Sequence, residues 1–220
     1  MVVIAALDEE EGIGPTLVEL RDILADPLFL IVDGRSVDDT VRIAEALNAK
    51  VILQKGWGKG DAIATAVDHI GMLQPKYVIL TDADFTYPAE YLPQMIRILE
   101  ENPEIGMVCG NRFNSHFHME AMNNMFYMGN RLLAFAHNLM NGVNLRDPLT
   151  GLRVVRGEIL RNWKPRSKSF DIEVELNHLV ERRGFGIKEI PIEYRQRLGE
   201  KKLKFRHGFT ILSRIIAESM

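Results

Sequence analysis

The chain has 220 residues, 46% of them hydrophobic and 26% charged, with a formal net charge of −3. That is the make-up of an ordinary globular protein long enough to bury a sizeable core in one large domain. The lone cysteine, Cys109, excludes an intrachain disulfide and fits a reducing compartment, and no uncharged apolar run long enough to span a membrane is present. The net charge hides an asymmetry. Residues 1–110 carry 8 Lys/Arg against 19 Asp/Glu, and residues 111–220 carry 19 against 11. An acidic half suited to hold metal is followed by a basic half suited to meet an anion, with much of that charge also serving as plain solvated surface.

Strands and helices alternate through the first half. Val2–Leu7 reads as a buried strand, too short and too closely followed by Asp8–Glu11 to be a signal peptide. Thr16–Leu24 has helical spacing, Leu28–Val32 is a strand, and Val37–Leu47 a helix. Lys50–Leu53 and Gly60–Ile70 repeat the pattern, followed by the strand Tyr77–Thr81, the helix Ala89–Glu100 and the strand Ile105–Cys109. This order predicts an α/β fold with a parallel, doubly wound sheet and no clean internal domain boundary.

The second half differs in texture. Met119–Asn141 holds five methionines at near-helical spacing, which suits either a core-facing helix or one lying in a membrane interface. Leu152–Val155 reads as a strand, Ile172–Arg183 as a helix, Ile187–Tyr194 as a strand and Phe209–Ala217 as a final amphipathic helix.

The chemistry concentrates where strands end, because ligands of open α/β sheets sit there. Asp82-Ala83-Asp84 closes the fourth strand. Two carboxylates one residue apart suit Mg²⁺ or Mn²⁺, which in turn bind phosphate oxygens; the alternative is two solvated aspartates before a turn. Asp33 closes the second strand and is a candidate for a base or ribose, whereas Asp38 and Asp39 read better as helix caps. The loop Lys55-Gly56-Trp57-Gly58-Lys59-Gly60 offers glycines and a cation before a helix, as phosphate-binding loops do, without matching a Walker A or dinucleotide pattern. Residues 195–206 hold six Lys/Arg (Arg195, Arg197, Lys201, Lys202, Lys204, Arg206) against Glu200. This is either a solvated basic tail or a loop over phosphates at an anionic bilayer. Nucleic acid is a poor partner, since few aromatics interleave these cations and the first half is acidic.

In order and spacing these motifs resemble the GT-A glycosyltransferases of family 2, and most of all the polyprenyl- or dolichyl-phosphate hexosyltransferases. The match runs through Asp8-Glu9, Asp33 with Ser36-Val37-Asp38-Asp39-Thr40, Gly58-Lys59-Gly60, Asp82/Asp84 with Thr86 and Pro88, and Gly110-Asn111-Arg112. It continues through Asp147-Pro148-Leu149-Thr150-Gly151, Phe170–Leu176 and Arg197–Leu203. The chain departs from the family pattern at Asp8, Gly34-Arg35, Thr86 and Lys201, which leaves the donor's base and sugar open.

The resemblance implies one GT-A catalytic domain over 1–220, with a nucleotide-sugar half (1–110), an acceptor half (111–220) and C-terminal amphipathic helices on a mostly parallel, Rossmann-like sheet. It implies inverting transfer of a hexose from GDP-mannose or UDP-glucose to a polyprenyl phosphate. Asp82 and Asp84 would hold Mg²⁺ or Mn²⁺, Glu9, Asp33 and Lys59 would serve the donor, and Arg112, Arg131, Arg197 and Lys202 the acceptor phosphate. Asp147 would orient cations or sugar, although an acid in this region acts as base in relatives with hydroxyl acceptors. The enzyme would sit peripherally on the cytoplasmic face of a membrane. Three alternatives stand beside this: a soluble transferase with a small phosphorylated acceptor, a sugar-nucleotide pyrophosphorylase, and a non-catalytic nucleotide-sugar-binding scaffold. The acidic run Asp8–Glu11 counts against the pyrophosphorylase, because it would repel a triphosphate.

Overall fold

The computed structural model describes residues 1–114, 124–141, 144–202 and 206–219. The strands are β1 (Val2–Ala6), β2 (Phe29–Asp33), β3 (Lys50–Leu53), β4 (Tyr77–Asp82), β5 (Ile105–Asn111), β6 (Arg153–Arg156) and β7 (Gly186–Pro191). The α-helices are α1 (Glu10–Ile23), α2 (Thr40–Ala46), α3 (Lys59–Leu73), α4 (Leu92–Glu101), α5 (Asn124–Asn141), the short α6 (Gly157–Leu160), α7 (Ile172–Arg182) and α8 (Arg206–Ser219).

Among the described residues the strands form one sheet in the order β3-β2-β1-β4-β6-β5-β7. The pairs β1–β2, β2–β3, β1–β4 and β5–β7 are parallel. The exception to parallel pairing is one strand: β6 runs antiparallel to both β4 and β5, in keeping with the mostly parallel sheet expected. The sheet is therefore mostly parallel, with β6 inserted between the fourth and fifth strands. Helix α1 starts six residues before the predicted Thr16, its first turn carrying Glu10 and Glu11 and Pro15 lying inside it. Acids in a first turn complement the helix dipole, which favours this earlier start. In the stretch read as Met119–Asn141, Met119 and Met122 lie outside the described residues, as does Lys204 of the basic run.

Strand side chains alternate between two cores, as the pleat requires. Val2 and Ile4 of β1 join Ile13 and Leu17 of α1 and Leu92 and Met95 of α4 on one face. Val3 joins Leu30, Ile63, Ala66 and Ile70 on the other, with Leu176 and Val180 of α7. Each such fully buried aliphatic side chain contributes about 1.5–3 kcal/mol. This double packing fixes the strand ends. The carboxyl ends of β1, β2, β3 and β4 all open at one edge, and the functional residues gather there.

Candidate active site

A cleft of about 630 Å³ lies at that edge, walled by residues of both halves of the chain. On its acidic side stand Glu9, Asp82 and Asp84; on its basic side stand Arg112, Arg197, Lys201 and Lys202. Lys59 sits on the floor, its ammonium 2.7 Å from Asp82 and 2.8 Å from Glu173. Burial works against charge on Lys59, but these two carboxylates overcome it and hold the amine well above its ordinary range.

The carboxylate pair is shaped by its neighbours. Asp84 Oδ1 accepts from the Thr86 hydroxyl at 2.6 Å, and its Oδ2 lies 3.7 Å from Arg197. Burial, and then the charge of Asp82, push the Asp84 carboxyl above its usual range. Two carboxylates that resist joint ionisation are relieved by a cation between them. Among the described residues no cluster of three or more His, Cys, Asp or Glu could hold a metal. A cation here would therefore take part of its coordination from a ligand, as Mg²⁺ commonly does with substrate phosphates. With their oxygen donors and the raised Asp84, Asp82 and Asp84 fit such a group.

Gly151 ends the Asp147–Gly151 motif directly against this pair. A Cβ at Gly151 would stand 2.5 Å from Asp82 Oδ2, and its N–H donates to the Tyr87 hydroxyl at 2.7 Å. Gly58 has φ +86 and a Cβ there would stand 2.2 Å from the Lys168 carbonyl oxygen. Gly58 and Gly60 therefore serve backbone approach to residues 167–168, and Gly56 makes room for the Asp61 carboxylate.

The segment 195–202 straps the two walls together. Arg195 N–H donates to the Thr86 carbonyl and Leu198 N–H to the Asp84 carbonyl. Arg197 Nη2 lies 2.9 and 2.8 Å from the two oxygens of Glu9, and Lys202 Nζ donates to the Asp8 carbonyl at 3.0 Å. Burial lifts Glu9 to about 7 in spite of Arg197. Lys201 is pushed below its ordinary value by burial and then by Arg197 and Arg112. Cations crowded on one wall against mutual repulsion mark a place for an anion.

Three predicted residues stand outside the cleft wall. Asp147 is 1% exposed and both its oxygens hold Arg112, at 2.7 Å from Nε and 2.8 Å from Nη2. Asp33 accepts the backbone N–H groups of Arg35 and Ser36, a turn-forming role the sequence reading did not give it. Arg131 is exposed, with its guanidinium 5.7 Å from the Phe113 ring. Glu173, which lines the cleft, was not anticipated from sequence, and Lys201 was read only as part of the basic run. Glu173 sits in the first turn of α7, where an acid ordinarily signals only dipole compensation.

The glycosyl transferase family 2 model matches residues 1–163. The chain belongs to glycosyltransferase family 2. This glycosyltransferase is 32% identical over 206 residues to the dolichyl-phosphate hexose transferase of Haloferax volcanii, covering 92% of this chain and 85% of that one. It is 29% identical over 218 residues to the undecaprenyl-phosphate mannosyltransferase of Micrococcus luteus, covering 92% and 86%. Glucosyl-3-phosphoglycerate synthase of Mycobacterium tuberculosis, solved with Mn²⁺, UDP-glucose and phosphoglyceric acid, superposes with a TM-score of 0.77 at 19% identity, over 99% of this chain and 78% of that one. At that identity the likeness speaks for the fold alone, which is GT-A. Among the described residues no helix of the glycosyltransferase is long and apolar enough to cross a membrane.

Proposed function

We propose that this glycosyltransferase moves a hexose from a nucleoside diphosphate sugar to a polyprenyl phosphate, with inversion, at the inner edge of a membrane. One observation carries the reading: a carboxylate pair, half-buried Asp82 and buried Asp84, faces a wall of cations, Arg112, Arg197, Lys201 and Lys202, across one cleft. The names of the relatives from Haloferax and Micrococcus support a lipid-phosphate acceptor.

In this reading Asp82 and Asp84 hold a divalent cation. When bound, that ion neutralises charge developing on the leaving diphosphate. Lys59 meets the donor's phosphates from the floor, fixed by Asp82 and Glu173. The acceptor phosphate is already ionised at neutral pH, so its attack needs positioning rather than a base. Arg112, Arg197 and Lys202 seat it, and Asp147 positions Arg112 from behind. Arg131, outside the cleft wall, is free of any role in bond formation here and serves the approach of the anionic headgroup.

The surface beside the cleft supports a lipid acceptor. Met128, Leu132, Phe135 and Leu139 recur at helical spacing along α5 and are all exposed, as are Phe209, Leu212 and Ile216 along α8. The two helices pack on each other, while Asn130 of α5 and His207 and Ile211 of α8 line the cleft itself. An apolar face of this kind beside cationic side chains suits an anionic bilayer.

Radiolabelled transfer tests the proposal, with polyprenyl phosphate or phosphoglycerate as acceptor, GDP-mannose or UDP-glucose as donor, and Mg²⁺ or Mn²⁺. Label is expected in the organic phase, falling by about 10²–10³-fold in Asp84→Ala. Label confined to phosphoglycerate would overturn the lipid acceptor, and equal transfer by Asp84→Ala would overturn the metal assignment.

A further inference from the structure

Trp57 is 71% exposed and yet lines the cleft. Single exposed apolar residues ordinarily need no explanation, but this one is held from behind. The Arg35 guanidinium lies 4.5 Å from the centre of the Trp57 ring. Arg35 is itself fixed, because its Nη1 donates to the Gly56 carbonyl at 2.7 Å. The same carbonyl accepts from Gln54 Nε2 at 2.9 Å. The backbone of Arg35 is left-handed, with φ 72, a conformation that non-glycine residues adopt at a cost. Asp33 helps hold it there by accepting the Arg35 N–H at 2.9 Å. A chain of contacts therefore runs from Asp33 through Arg35 to one face of an indole whose remaining surface is open to the cleft.

The place of that indole in the fold gives it a partner. Asp82 ends β4, and Trp57 follows β3, with β1 and β2 between them. At about 4.8 Å per strand, the ends of β3 and β4 are about 14 Å apart, a distance that an extended nucleoside diphosphate spans. Its phosphates at Asp82, Asp84 and Lys59 would lead its base across Ala6 and Gly34, whose small side chains keep the wall low. We propose that the Trp57 indole, backed by the Arg35 guanidinium, is the stacking platform for the nucleobase of the donor. Indole is suited to this because every base offers a π-face and stacking requires no hydrogen-bond readout. The inference rests on the donor reading given above and adds the group that grips the base. It also gives Asp33 a positioning role: it sets the turn that aims Arg35.

The experiment exploits the two tryptophans of the chain. Trp163 is buried, so a Trp163→Phe protein reports Trp57 fluorescence alone. With Mg²⁺ present, GDP or UDP is expected to quench that emission saturably, while pyrophosphate leaves it unchanged. Calorimetry on the otherwise unaltered chain gives an independent readout that does not depend on Trp163→Phe folding. There Trp57→Ala is expected to raise the Kd of the nucleotide about tenfold or more. Trp57→Phe should restore most of the loss, and pyrophosphate affinity should stay constant throughout. Undiminished nucleotide binding by Trp57→Ala would overturn the platform while leaving the donor reading intact. If wild type bound pyrophosphate but neither nucleotide, or bound none of them, the donor reading and the platform would fall together.

Discussion

Arg112 and Arg197 each grip a carboxylate with paired contacts, and they differ in what surrounds them. Arg112 and Asp147 meet behind the basic wall, with side chains 9% and 0% exposed. Arg197 and Glu9 meet across the mouth of the cleft, at 22% and 10%. Burial opposes the charge on Arg112, and Asp147 overcomes it so fully that the guanidinium is held well above its ordinary range. That pair is part of the framework. The Arg197 pair bridges two walls through groups that a ligand can reach. Both arginines line the cleft and carry the same expectation from sequence, as cations for an acceptor phosphate, yet Arg112 is braced by a buried partner and Arg197 holds contacts that can be exchanged.

The largest effect that could break this contrast is expected at the buried pair. Asp147→Ala strands the Arg112 charge out of water and should cost about 3–5 kcal/mol, read from urea unfolding. A loss below about 1 kcal/mol would show that the pair is not framework at all.

A second buried site, where two histidines meet between helices, sharpens the comparison. His137 of α5 lies 5.6 Å, ring to ring, from His178 of α7. Burial, and then His178, push His137 down from 6.5 to about 4. The unfolded chain takes up the proton first as the solution is acidified. The stabilisation is therefore fully present above pH 6.5 and is lost as pH falls toward 4. The loss amounts to roughly 2–3 kcal/mol, and unfolding series at several pH values should show it. His137→Asn should flatten the slope in that window, although His178, also held below its ordinary value by burial, will keep part of it.

The smallest effect on stability is expected at the cleft mouth. Arg197→Ala should change unfolding free energy by about 1 kcal/mol or less, yet lower transfer at subsaturating acceptor by about tenfold or more. Equal losses of stability in Arg197→Ala and Asp147→Ala would erase the distinction between the two pairs.

The sequence carried the alternation of strands and helices because hydrophobic period is local, and it placed Asp82, Asp84, Lys59, Arg197 and Lys202 at one cleft because strand ends and motif spacing are readable. It did not carry the direction of β6, since nothing in the four residues Arg153–Arg156 says which neighbour they will join. The turn that Asp33 forms was hidden for a related reason: a carboxylate past a strand looks the same whether it meets a ribose or the N–H groups of its own turn. Glu173 became visible only when chain segments remote in sequence came together.

The strap across the cleft has a thermodynamic consequence. Leu198 is tied to the Asp84 carbonyl, and Arg197 lies 3.7 Å from the carboxylate of that same residue. A cation arriving at Asp84 and a guanidinium resting beside it compete for one negative charge. In the proposed reading, loading of the ion and release of Arg197 toward an incoming anion would form a single linked equilibrium. By reciprocity, whatever factor the ion contributes to anion affinity, the anion returns to the ion.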